Sequence, residues 1–136
     1  EFTRSWPQQP PREEVEGHLQ SGRDRLMRAR RAGVRIALGS DLYFPYGPGR
    51  GAGSRATLDG YVEAGLTPTQ ALQSATWEAG RLLGDDGLGV VRPRAFADLV
   101  AVEGDPTEGL SPLRAPRTVI KGGRVVSGES EACALD

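Results

Sequence analysis

The chain has 136 residues, 38% hydrophobic and 26% charged, with 17 basic against 18 acidic side chains and a formal net charge of −1. That length suggests one domain able to bury about two thirds of its unfolded surface, and the charge balance gives no electrostatic case for nucleic acid or an anionic membrane. A single cysteine, Cys133 in a polar tail, excludes an intramolecular disulfide and a metal–thiolate cluster.

No apolar run approaches the roughly 20 residues that span a bilayer, and no charged-then-apolar leader opens the chain. A cytoplasmic setting is therefore expected. Because the chain starts with Glu1 and not methionine, upstream sequence is expected too, and export stays open. Glycine and proline, 19 and 10 residues, punctuate periodic segments without any repeat.

Taken in order, "EFTRSWPQQPPREE" reads as extended, since each proline biases its predecessor away from helix. Glu13, Glu14 and Glu16 then precede "RDRLMRARRAG", acids first and bases last, as a helix dipole favours. Val15, Leu19, Leu26 and Ala29 make its apolar stripe, and Gly33 its terminator. His18, on this helix, reads as a solvated surface histidine.

"VRIAL", residues 34–38, is too short for a helix and apolar on both faces, which suits a buried parallel strand. It stops at Asp41 and opens into a glycine-rich loop expected from Leu42 to Ser54. In that loop Tyr43, Phe44, Tyr46 and Arg50 either line a substrate pocket, with Arg50 clamping an anion and the aromatics stacking on an apolar group, or sit in a plain connection. "GPGRGAG" matches neither the dinucleotide nor the P-loop register, and about a dozen residues separate strand from helix where the dinucleotide turn is tight. "RATLDGYVEAG" follows, with Leu58, Tyr61 and Val62 at helical spacing.

"TPTQALQSATWEAGRLLG" predicts one helix: Thr67 caps it, Pro68 suits its first turn, Gln70 completes a capping box and Gly84 ends it. Its stripe is Ala71, Leu72, Ala75, Ala79, Leu82 and Leu83, with Trp77 off that stripe, either exposed or packed on something outside the chain. From Gly87 onward the texture turns to short β runs, "ADLVAVEG" and "RTVIKGGRVV", whose Gly122-Gly123 pair signals a two-residue hairpin. Asp98 and Asp105 sit in turn-like settings and read as structural. The class is α/β.

"GVRIALGSD", the loop, "YVEAGLTPTQALQSAT", "LLG", "ADLVAVEGDP" and "VIKGGRVV" occur together and in order. Over residues 25–127 the chain resembles the C-terminal part of a metal-dependent amidohydrolase, nearest the imidazolonepropionase-like branch. The resemblance implies a (β/α)₈ TIM-type barrel whose last strand is residues 34–39, with residues 1–86 the C-terminal barrel portion. It also implies that residues 87–127 form part of a small composite β-sandwich, followed by a flexible tail at 128–136.

Asp41 is then both metal ligand and catalytic proton shuttle, and Tyr43 and Arg50 are substrate-binding candidates. The implied cofactor is one or two divalent ions, with zinc expected. The implied partners are a small-molecule substrate with a carbon–nitrogen (amide, cyclic amide or dipeptide-like) bond and the N-terminal part of the barrel. A homo-oligomer is compatible with this; nucleic acid and membrane are not expected.

The family's paired and later histidines and its mid-barrel lysine or glutamate have no counterpart here, so the chain alone is expected to be inactive. The alternative is a non-catalytic amidohydrolase-like scaffold. Glu78 and Gly80 depart from the family's usual "NAA", and Arg94 stands where glycine is usual before "AD".

Overall fold

A computed structural model describes residues 11–41 and 50–128. They form helices α1 (Arg12–Arg31), α2 (Arg50–Glu63), α3 (Pro68–Ala75) and α4 (Trp77–Leu82), and strands β1 (Leu99–Ala101), β2 (Thr118–Lys121) and β3 (Arg124–Gly128). The chain divides into two compact units, residues 1–34 and 35–136.

The first unit is α1. Glu13 and Glu14 lie in its first turn and Arg28, Arg30 and Arg31 in its last, the charge order that opposes the helix dipole. Val34 N donates to Ala29 O and Gly33 N to Arg30 O, both at 3.0 Å; this is a Schellman closure with Gly33 in the left-handed region. The expected stripe is present in sequence, yet α1 buries no residue, and Val15 and Leu19 are exposed. His18 is exposed, and its Nδ1 lies 2.8 Å from the Glu14 carbonyl oxygen, which accepts from the Nδ1–H tautomer.

In the second unit the same Schellman pattern closes α2 and α4. Leu66 N bonds Tyr61 O and Asp85 N bonds Gly80 O, both at 3.1 Å, with Gly65 and Gly84 at positive φ. The start of α3 follows the sequence closely: Thr67 Oγ1 accepts from Gln70 N while Gln70 Oε1 accepts from Thr67 N, and Pro68 occupies the first turn. This capping box contributes about 1 kcal/mol. The core sits where these helices meet, at Leu66, the fully buried Ala71 and Ser74, with Leu110 buried beside the short 3₁₀ turn Ser111–Arg114. Arg114 reaches back to Asp59 on α2 at 3.2 Å.

Three expectations need correction. The helix expected over residues 67–84 is broken at Thr76, whose backbone (φ −122, ψ −90) leaves the helical region. The cause is a close crossing: at Gly89 a Cβ would lie 2.1 Å from Thr76 O, and at Gly80 one would lie 2.5 Å from Leu88 O. The 88–89 backbone therefore lies against α4 and the break, which only glycine allows. The break also turns Leu82 and Leu83 out of the stripe, leaving them 76% and 74% exposed.

Second, α2 begins at Arg50, so the expected loop is shortened by residues 50–54. Gly51 and Gly53 are poor helix formers, but Gly53 is buried and its carbonyl accepts from Thr57 Oγ1 at 3.1 Å, so packing overrides propensity. Third, residues 34–38 form no ladder among the described residues. Strand pairing needs a neighbouring backbone, and the partners of this segment are helices.

The three strands form one antiparallel sheet in the order β1-β2-β3. Leu99 faces Ile120 and Lys121 faces Arg124, with an irregularity between Val119 and Ile120. Gly122 and Gly123 both take positive φ, as a two-residue hairpin with matching twist requires. Asp98 holds this turn: Oδ1 accepts from Gly122 N at 2.7 Å and Oδ2 from Lys121 Nζ.

Candidate active site around Asp41

Residues 35–41 are fixed from one side by the three helices that follow them, taken in reverse order. Arg35 pairs with Glu78 on α4 at 3.7 Å. Leu38 N donates to Ser74 O on α3 at 2.8 Å, and Ser74 Oγ itself bonds Ala71 O at 2.6 Å. Ser54 Oγ on α2 donates to Ser40 Oγ at 3.4 Å. Ile36, Ala37, Leu38 and Ser40 are half-buried along this seam. An open hollow of about 340 Å³ lies beside Arg35 and Ala37, walled by Glu78 and Leu82.

At the end of the seam stands Asp41. It is exposed and adopts φ +48, a left-handed conformation uncommon for residues other than glycine, in which aspartate is enriched. The arrangement therefore puts a carboxylate in the open on a backbone whose approach is anchored at three points.

Tyr43, Phe44 and Tyr46 lie outside the described residues. Arg50 is placed only by its backbone, as the first residue of α2. The sequence reading missed Ser40, Ser54, Arg35 and Glu78 as a positioning set. Ser40 was visible beside Asp41, but nothing in periodicity pairs it with a serine 14 residues later.

Among the described residues, no group of three or more His, Cys, Asp or Glu side chains stands close enough to hold a metal ion. Asp41 fits as one ligand; with three or more protein ligands expected at a catalytic divalent ion, the described residues do not by themselves make the site.

Other features read as structural. Trp77 is 42% exposed and carries the Arg81 guanidinium 5.3 Å from its ring centre, a cation–π pairing along one face of α4. Asp98 and Asp105 are turn carboxylates, as expected. Asp98 is held below the ordinary carboxylate range by the Lys121 side-chain hydrogen bond and then by Gly122 N–H. Asp105 is lowered by the Thr107 hydroxyl and amide, which it accepts at 2.6 and 2.8 Å. No helix among the described residues is long and apolar enough to cross a membrane.

Comparison with known proteins agrees with the motif resemblance. A sequence profile of the amidohydrolase family matches residues 10–126. Uncharacterized proteins of Mycobacterium tuberculosis and Mycobacterium bovis are 39% identical over 103 residues, covering 76% of this chain and 26% of the relative. An ochratoxinase of Aspergillus niger is 35% identical over 104 residues, covering 72% of this chain and 20% of its own length. This chain thus spans 20–26% of the length of the curated relatives it matches.

Among solved structures, an amidohydrolase superposes with a TM-score of 0.71 at 29% identity, covering 82% of this chain and 27% of that one. A Xaa-Pro dipeptidase with methionine bound in its active site gives 0.68 at 34%, covering 78% and 25%. The resemblance to the C-terminal part of an amidohydrolase is borne out at the level of family, and the α/β class with it. By the match of a family profile over most of its length, the chain belongs to the amidohydrolase family.

Proposed function

We propose that this chain is the C-terminal portion of a metal-dependent hydrolase that cleaves a carbon–nitrogen bond in a small amide, cyclic amide or dipeptide-like substrate, and that Asp41 works at its active site. The observation that carries the reading is Asp41 itself: exposed, left-handed and placed at the end of a segment tied to α4, α3 and α2. In a (β/α)₈ barrel, residues at the C-terminal ends of strands do the chemistry. Residues 34–39 take the place of the last such strand once neighbouring strands supply their ladder. Residues 87–127 are then part of a composite β-sandwich; of the tail expected over 128–136, Gly128 instead ends β3 and residues 129–136 lie outside the described residues.

Asp41 would be one ligand of a divalent ion, zinc by expectation, whose remaining ligands would come from elsewhere in a longer polypeptide. Such an ion, when bound, lowers the pKa of its water to about 7 and polarises a carbonyl. The part of Asp41 is to take the proton released as the water oxygen bonds the substrate carbon, then deliver it to the nitrogen as the carbon–nitrogen bond breaks. Arg50 and Tyr43 are assigned to the substrate, Arg50 to a carboxylate or other anion. The exposed apolar residues Leu82, Leu83, Val91 and Phe96 are assigned to contact with the rest of the polypeptide.

The names of two relatives set the probes: Xaa-Pro dipeptides and ochratoxin. The intact polypeptide should hydrolyse an amide of this kind, lose activity to a chelator and regain it with zinc, while this chain alone stays inactive. Activity that survives complete metal removal, or turnover by residues 1–136 alone, would refute the proposal.

A further inference from the structure

Ser40 and Ser54 join two parts of the chain 14 residues apart through half-buried hydroxyls. Of the three ties along residues 35–41, those at Arg35 and Leu38 lie six and three residues before Asp41. Only the serine pair acts on the residue bonded to Asp41. The backbone of Asp41 lies in a sparsely populated region, which persists where the surroundings hold it. The Ser54 end is firm, because it sits within α2 next to buried Gly53, whose carbonyl is bonded by Thr57.

We propose that Ser54 is a positioning residue for Asp41. Its hydroxyl, donating to Ser40 Oγ, restrains the Ser40 side chain and through it the backbone leading into Asp41, and so the direction of the carboxylate. This rests on the assignment of Asp41 to the active site. It adds that the aim of this carboxylate is set from α2 through a hydroxyl pair. At 3.4 Å the hydrogen bond is long, so its loss should loosen the turn without unfolding the helix. Misplacement of a reacting group by a fraction of an ångström lowers rate more than binding.

The test uses the intact polypeptide with Ser54→Ala, Ser54→Thr and Asp41→Asn, and the dipeptide Met-Pro as probe. Ser54→Ala should lower kcat by about three- to tenfold with KM and bound metal unchanged. Amide hydrogen exchange over residues 38–42 of the metal-free protein should quicken. Ser54→Thr, which keeps the hydroxyl, should restore both.

Unchanged exchange overturns the inference, as does faster exchange with unchanged kcat, a change confined to KM, or failure of threonine to restore in a variant whose unfolding midpoint is normal. If Ser54→Ala fails to fold, Ser40→Ala removes the other hydroxyl and is read in the same way. Full turnover by Asp41→Asn defeats the active-site assignment instead, and the exchange result then decides the hydroxyl pair alone. The same holds if Met-Pro is not a substrate.

Discussion

Gly80 and Gly60 are both helical glycines, and the structure gives them opposite fates on substitution by alanine. At Gly60 a Cβ meets nothing within 4 Å, so Gly60→Ala should express the helix preference alone and stabilise by about 1 kcal/mol. At Gly80 the same Cβ would lie 2.5 Å from Leu88 O and 3.0 Å from Leu88 C and Cβ. An ordinary carbon–oxygen contact lies near 3.3 Å, so backbone must retreat by about 0.8 Å.

The neighbouring Gly89 also lies against Thr76 O, which itself accepts from Gly80 N at 2.9 Å, so the 88–89 backbone is in close contact with α4 at two adjacent points and both must open together. Overpacking of this kind costs about 1–3 kcal/mol, which cancels or outweighs the helix gain. The two variants should therefore differ by about 1–3 kcal/mol, Gly60→Ala more stable than wild type and Gly80→Ala not. Denaturant midpoints at unchanged m-value, measured on the intact polypeptide, read the difference. Equal stabilisation by both would show that the 88–89 crossing does not constrain α4.

Three further outcomes follow from the same structure. Thr67→Ala removes the hydroxyl that accepts from Gln70 N and should cost about 1 kcal/mol, seen as a lower denaturant midpoint, with Thr67→Ser close to wild type. Gly89→Ala should be more damaging than Gly80→Ala, because it combines a 2.1 Å backbone overlap with φ +70; circular dichroism and midpoint together would register it, and a normal midpoint would contradict the geometry. Asp98 has a lowered folded-state pKa, so its contribution is present above the unfolded carboxylate pKa and is lost as pH falls through the folded value. The hairpin should thus weaken on the acid side, and Asp98→Asn should flatten that dependence in a pH series of unfolding midpoints.

Legibility in the sequence followed the range of the interactions. The Thr67–Gln70 capping box, the stops at Gly33 and Gly84, and the Gly122-Gly123 hairpin depend on neighbours within a few residues, and each is found in the structure. The break at Thr76 and the exposure of Leu82 and Leu83 depend on a backbone arriving from residues 88–89, which periodicity cannot anticipate. The early start of α2 is similar: Gly51 and Gly53 read as loop, whereas in the structure Gly53 is buried and its neighbour Ser54 is linked to Ser40.

Around Asp41, the residue type and its place after an apolar run were readable. Its three anchors were not, because Arg35–Glu78, Leu38–Ser74 and Ser40–Ser54 join positions 43, 36 and 14 residues apart. Motif order carried the family assignment where local physics could not.

The most direct measurement is a crystal structure of the intact polypeptide with zinc, located by its anomalous scattering. The account predicts an ion with an Asp41 carboxylate oxygen at about 2.0–2.2 Å and its other ligands on residues outside 1–136. An ion bound elsewhere, with the Asp41 carboxylate directed away into bulk water, would contradict it.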